Sequence, residues 1–140
     1  VSTHVYVAAS EHAAGKSGIA LGLVAALASQ VDRVGVFRPV VASRTDSDPV
    51  LDLLLSQLAT PMDRAAAIGV TYSDIHDDRR HRDGGRSSRA STRQRRSGDA
   101  MVIVGSDFSD VPSPTEFSVN AELAANLEAP MLLVVSGADR

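Results

Sequence analysis

Cysteine and tryptophan are absent from the 140 residues, and aromatic side chains make up only 4% of them. Without cysteine there can be neither a disulfide framework nor a thiolate metal site. That absence suits a reducing compartment, and the expected location is the cytoplasm. The scarcity of aromatics leaves no stacking platform for single-stranded nucleic acid. No apolar run approaches the roughly 20 residues that a bilayer span needs, and no basic-then-apolar leader opens the sequence, so no membrane partner is expected. What is present is 44% hydrophobic content, rich in alanine and valine, which is enough for one α/β domain with a real core.

Positive charge is scarce except in one place. The formal net charge is −3, yet eight of the fourteen basic residues lie between Arg79 and Arg96, against a single acid, Asp83. That stretch carries +7; the six basic and sixteen acidic residues elsewhere leave −10. Residues 79–98 contain no aliphatic side chain larger than that of Ala90, so they cannot bury a face and are expected to be disordered or a solvated loop. Such a segment attracts polyanions at low ionic strength. With no interleaved aromatics it does not make a specific nucleic-acid reader.

Ordered patterning begins with the β-rich run from His4 to Ala9, carrying the apolar Val5-Tyr6-Val7-Ala8-Ala9, which reads as a buried central strand. It feeds Ser10-Glu11-His12-Ala13-Ala14-Gly15-Lys16-Ser17, and a helix is predicted from Ser17 to about Ala28, with Ile19, Leu23, Ala26 and Leu27 at helical spacing and Gly18 and Gly22 available for close approach to a sheet. Strand, glycine-bearing loop, Lys-Ser and helix is the order of a phosphate-binding loop, in which backbone N–H groups and a helix N-terminus converge on one small volume. Lys16 would reach outer phosphates and Ser17 would offer its hydroxyl to Mg²⁺. The match to the GxxxxGK[ST] pattern is incomplete, because its first glycine position is Ser10. His12 reads most simply as a solvent-facing loop residue.

A second strand is expected over Arg33-Val34-Gly35-Val36-Phe37, stopped at Arg38-Pro39 by the donor that proline lacks, which completes a βαβ unit with a right-handed crossover. The polar stretch that follows places Asp46 and Asp48 at the carboxyl end of that strand, the edge where open α/β sheets take their ligands. Asp48-Pro49 then starts a helix through Leu58, with Asp48 as N-cap, Pro49 at the first helical position and Leu51, Leu54, Leu55 and Leu58 facing inward. Gly69-Val70-Thr71-Tyr72 is too short to assign. His76 and His81 flank Asp77 and Asp78 without metal-site spacing. Ala100-Met101-Val102-Ile103-Val104 is a third strong strand, Ser113-Pro114-Thr115-Glu116 is a capping box that opens a helix to Leu127 with Leu123, Ala124 and Leu127 in the core, and Pro130 to Val135 is a fourth strand presenting an unpaired apolar edge.

Taken together, the first strand, the Gly15-Lys16-Ser17 loop, Gly35-Val36-Phe37-Arg38-Pro39, Gly69-Val70-Thr71-Tyr72, Val102-Ile103-Val104-Gly105-Ser106-Asp107, Ser113-Pro114-Thr115-Glu116-Phe117 and the stretch from Asn120 to Pro130 resemble the N-terminal domain of actinobacterial phosphate acetyltransferase, which is itself similar to dethiobiotin synthetase. The resemblance spans most of residues 1–140 except 79–98, and implies a P-loop NTPase-like, doubly wound, mainly parallel sheet that is incomplete. It implies a regulatory and assembly role, with the transfer of acetyl between coenzyme A and phosphate residing in a separate C-terminal domain. The implied partners are the remainder of such a chain and its homo-oligomer. The implied nucleotide set is Ser10, Glu11, His12, Gly15, Lys16, Ser17 and Arg38, binding Mg-ATP or another nucleotide weakly, with Mg²⁺ ligands drawn from Ser17, Asp46, Asp48 and Asp107.

Two departures bear on that expectation. Dethiobiotin synthetases carry a Mg²⁺-binding glutamate where this sequence has Val104, and a lysine where it has Arg38, so ATP-dependent carboxylate chemistry is the weaker alternative. A basic nucleic-acid-binding module is a further alternative. Residues 79–98 stand where the family has an amphipathic helix of similar length. Arg/Ser/Gly-rich sequence at unchanged length is what compensating frame shifts in GC-rich coding DNA would produce; resequencing that finds no shifted frame with an apolar helical period would dismiss the idea.

Overall fold

The computed structural model describes residues 3–10, 15–43, 45–71, 73–74, 99–106 and 113–137, with backbone alone over 113–116. In chain order the elements are β1 Thr3–Ala9, α1 Lys16–Ala28, β2 Val34–Val41, α2 Pro49–Ser56, α3 Arg64–Ala67, β3 Ile68–Thr71, β4 Ala100–Val104, α4 Ser113–Asn126 and β5 Met131–Val134. The five strands form one sheet in the order β3-β2-β4-β1-β5, and every pairing is parallel. The expected P-loop NTPase-like α/β class is the one observed. Predicted residues 79–98, the pair His76 and His81, and Glu11, His12 and Asp107 lie outside the described residues.

The apolar runs form strands because both faces of the sheet are covered, which removes the need for alternation. Every residue of β4 is buried. On one face Val7, Val36, Val102 and Val104 pack with Ala20 and Val24 of α1, Leu51 and Leu54 of α2 and Ala67 of α3. On the other, Tyr6, Ala8, Phe37, Met101 and Ile103 pack with Ala124 and Leu127 at the end of α4 and with Ala129. Burying a side chain the size of Leu51 or Leu54 contributes roughly 1.5–3 kcal/mol, so these aliphatic layers substitute for the missing aromatics.

Several boundaries differ from those the sequence predicts. The middle strand is β4; β1 is flanked on both sides, by β4 and β5. Proline does not stop β2, which continues to Val41. Pairing to β4 ends at Phe37↔Ile103, and the strand goes on through Arg38, Val40 and Val41 against β3, so Pro39 falls between paired positions. The short Gly69-Val70-Thr71 run is therefore a strand, held by β2 rather than by its own length. In α1 the buried stripe is Lys16, Ala20 and Val24, while Ile19 and Ala26 are exposed. Gly18 and Gly22 meet nothing within 4 Å of where a Cβ would stand, so the closeness of α1 to the sheet comes from Ala20 and Val24. Helix α2 ends at Ser56, where the N–H groups of Gln57 and Leu58 turn back to Leu54 and Leu55 in a tighter last turn.

Helix α4 ends in a Schellman motif. Glu128 takes a left-handed φ of 53°, its N–H donates to Ala125 O, and Ala129 N–H donates to Ala124 O. Pro130 follows and delivers the chain to β5 at the edge of the described sheet. There Leu132 and Leu133 are 40% and 43% exposed, the apolar edge expected from the sequence.

Candidate functional site

Just beyond β1, the Ser10 N–H donates to Val134 O at 3.0 Å. The chain is described again from Gly15, which is the N-cap of α1 at φ 84°, a conformation that a side chain would strain. No side chain caps this helix, and Gly15 O accepts from Ile19 N–H. Lys16, the first helical residue, is 4% exposed, and its Nζ donates to the carbonyl of Gly105 at 2.6 Å. The ammonium thus sits where β1 and β4 leave the sheet. Ser17 beside it is half-buried.

The other half of that junction is held by a buried polar network. Gly105 N–H donates to Val7 O at 2.8 Å. Asn120 of α4, 1% exposed, accepts at Oδ1 from the Tyr6 hydroxyl (2.7 Å) and from Ser106 N–H (3.2 Å), and donates from Nδ2 to Ser106 O (3.3 Å). A Cβ on Gly105 would stand 2.8 Å from Asn120 Oδ1 and 3.0 Å from Val7 O, so only glycine lets strand and helix approach this closely. Burial pushes the Tyr6 phenol well above its usual pKa, with the positive charge of Arg38 opposing part of that rise.

Beside this junction, at the carboxyl end of β2, lies a cleft of about 180 Å³ whose lining includes Arg38, Ser43, Asp46, Asp48 and Ser106. Arg38 Nη1 is 3.1 Å from both carboxylate oxygens of Asp48, and the two side chains are only 13% and 19% exposed. Asp48 Oδ1 also accepts from Leu51 N–H, the N-cap bond that the Asp48-Pro49 sequence predicts. Between β2 and α2, Ser43 Oγ accepts from the N–H groups of Thr45 and Asp46, and Arg64 donates to Asp46 O at 2.7 Å and to Asp52 Oδ1 at 3.2 Å. Because Asp48 serves both cap and ion pair, a metal ion would have to displace Arg38 to use it. Mg²⁺ therefore fits poorly at Asp48, and of the other expected ligands Ser17 and the exposed Asp46 are among the described residues. A phosphate group fits better, given Lys16 and the uncapped start of α1.

The expected residues thus fall into two groups: Gly15, Lys16 and Ser17 at the start of α1, and Arg38, Asp46 and Asp48 in the cleft. They meet through the turn Gly105-Ser106, where Lys16 holds the first residue and the cleft contains the second. Sequence reasoning missed Tyr6, Ser106 and Asn120. One signal was available: Asn120, Ala124 and Leu127 lie on one helical stripe, and a polar residue on an apolar stripe needs a buried partner.

A strand-loop-helix unit leading a parallel, doubly wound sheet defines a P-loop-like α/β protein. Residues 3–140 match the AAA domain family, and the chain belongs to it. It is also similar to a phosphate acetyltransferase of Nitratidesulfovibrio vulgaris, 29% identical over 146 aligned positions that take in 98% of this chain and 20% of the relative. The chain therefore spans about a fifth of the length of that curated relative. Among the described residues, no helix is long and apolar enough to cross a membrane.

Proposed function

We propose that this chain is a regulatory and assembly domain of a phosphate acetyltransferase, that it binds a nucleotide weakly through its phosphate loop, and that it performs no acetyl transfer itself. The observation that carries the reading is Lys16, a buried ammonium one residue after a left-handed glycine, at the carboxyl edge of a parallel sheet. Similarity to a phosphate acetyltransferase over 98% of the chain supplies the context. The expected partners are the rest of such a polypeptide and its homo-oligomer, in the cytoplasm.

Binding is weak for two reasons. Lys16 Nζ already donates to Gly105 O at 2.6 Å, so part of its three-donor capacity is committed before a phosphate arrives. The strand end that carries a glutamate in dethiobiotin synthetases is the buried Val104, so a well-organised octahedral Mg²⁺ site is not provided there. ATP-dependent carboxylate chemistry is disfavoured for the same reason. Calorimetric titration with Mg-ATP tests the reading: the intact chain binds, Lys16→Ala weakens binding by about tenfold or more, as loss of a charge-assisted phosphate contact should, and hydrolysis is negligible. No binding to the intact chain would overturn the nucleotide assignment, and rapid hydrolysis would overturn the regulatory one.

A further inference from the structure

A single peptide unit joins the two faces of the sheet beside the phosphate loop. The carbonyl of Gly105 accepts from Lys16 Nζ at 2.6 Å, and the N–H of the same unit, that of Ser106, donates to Asn120 Oδ1 at 3.2 Å. A trans peptide unit is planar, with its C=O and N–H pointing in opposite directions, so a tie at one end fixes the aim of the other. Lys16 opens α1, whose Ala20 and Val24 pack on one face of the sheet. Asn120 belongs to α4, whose Ala124 and Leu127 pack on the opposite face.

This unit has little freedom to turn. Gly105 N–H anchors it to Val7 O of β1 at 2.8 Å, and Asn120 Nδ2 donates to Ser106 O at 3.3 Å, so one side chain grips Ser106 at both its N–H and its carbonyl. Asn120 is itself buried and held at Oδ1 by the Tyr6 hydroxyl. Lys16, by contrast, carries its charge on a flexible four-carbon stem. Where a buried ammonium stands is therefore set by the acceptors around it, since leaving it without them is costly.

We infer that Asn120 is a positioning residue for Lys16: from the far face of the sheet it orients the Gly105 carbonyl that holds the ammonium at the head of α1, and so couples α4 to the phosphate loop. The consequence for nucleotide affinity rests on the nucleotide-binding reading above; the placement of the ammonium does not. Such coupling is reciprocal, so a change at Lys16 reaches Asn120 by the same route.

Lys16 is the only lysine in the sequence, so a chain labelled with ¹⁵N-lysine gives one side-chain NMR signal. The rate at which its ammonium protons exchange with water, measured without nucleotide, reads the placement directly. Asn120→Ala should raise that rate about tenfold or more, the order of one charge-assisted hydrogen bond. Leu54→Ala, at a buried α2 position outside the junction, lowers stability by leaving a cavity and should not change the rate. In the other direction, Lys16→Met keeps an apolar stem and should shift the Ser106 amide and the Asn120 side-chain amide. Calorimetry with Mg-ATP should show a severalfold loss of affinity in Asn120→Ala and none in Leu54→Ala. An unchanged exchange rate in Asn120→Ala, or an equal rise in Leu54→Ala, overturns the inference. Should Asn120→Ala fail to fold, undisturbed Ser106 and Asn120 signals in Lys16→Met are sufficient to refute it. Faster exchange with unchanged Mg-ATP affinity refutes the consequence for nucleotide. No Mg-ATP binding by the intact chain refutes the nucleotide reading alone, and the exchange rates still decide for or against Asn120.

Discussion

Replacing Asn120 by alanine removes the side chain on which three buried hydrogen bonds converge: from the Tyr6 hydroxyl, from Ser106 N–H, and to Ser106 O. Each such bond has a net value of about 1 kcal/mol, and leaving buried donors without partners adds to the loss, so Asn120→Ala should cost roughly 3–5 kcal/mol. That is a large share of the roughly 5–15 kcal/mol that holds a typical domain together. Urea denaturation measures it as a fall in midpoint at constant slope. A cycle with Tyr6→Phe isolates the central bond. In the parent, Tyr6→Phe removes one partner of Asn120 Oδ1, which still accepts from Ser106 N–H, and should cost about 1 kcal/mol. In the Asn120→Ala background the phenol is already stranded, so the same change should be neutral or stabilising, a coupling of about 1 kcal/mol or more. A loss below about 1 kcal/mol for Asn120→Ala, or an equal cost of Tyr6→Phe in both backgrounds, would refute the reasoning.

Other outcomes follow from the same geometry. The Tyr6 phenol has its folded-state pKa raised by burial above its ordinary value of 10.0, so its contribution to stability is complete below about pH 10 and is lost as pH rises further. Denaturation midpoints should therefore fall more steeply above that pH in the parent than in Tyr6→Phe, and equal slopes would contradict the assignment. Asp48→Ala should cost about 2–3 kcal/mol by removing both the α2 cap and the partner of a part-buried guanidinium, whereas Asp48→Asn keeps a capping oxygen and should recover about 1 kcal/mol of that; identical midpoints for the two variants would show that the cap contributes nothing. Glu128→Gly should raise stability by roughly 0.5–1 kcal/mol, because glycine holds the left-handed φ of 53° without the Cβ penalty. Thermal or urea unfolding that shows a loss would contradict the Schellman reading.

Much of the fold was legible in the sequence because its signals are local. A residue's own backbone makes a helix start at Asp48-Pro49, and both the cap and the buried leucines Leu51 and Leu54 are where that dipeptide predicts. The unbroken apolar runs of β1 and β4 announce strands covered on both faces, and Gly15-Lys16 at the head of α1 announces a turn that only glycine takes without strain. Pro39 and Gly69-Val70-Thr71 misled because strand membership there depends on a neighbour: β2 and β3 extend by pairing with each other. The facing side of α1 was also decided by the sheet, which selected Ala20 and Val24 over the larger Ile19.

The site belongs to the second kind of information. Lys16 and Gly105 are 89 residues apart, and Tyr6 and Asn120 are 114 apart. They meet because β4 inserts between β1 and β2, bringing the exits of three strands to one edge. Sequence alone supplied the ammonium, the guanidinium and the carboxylates, since each belongs to its own local pattern. Only the strand order decided that Lys16 meets the Gly105 carbonyl and that Tyr6 meets Asn120, because partnership between distant segments is fixed by register and packing, which no contiguous stretch of residues encodes.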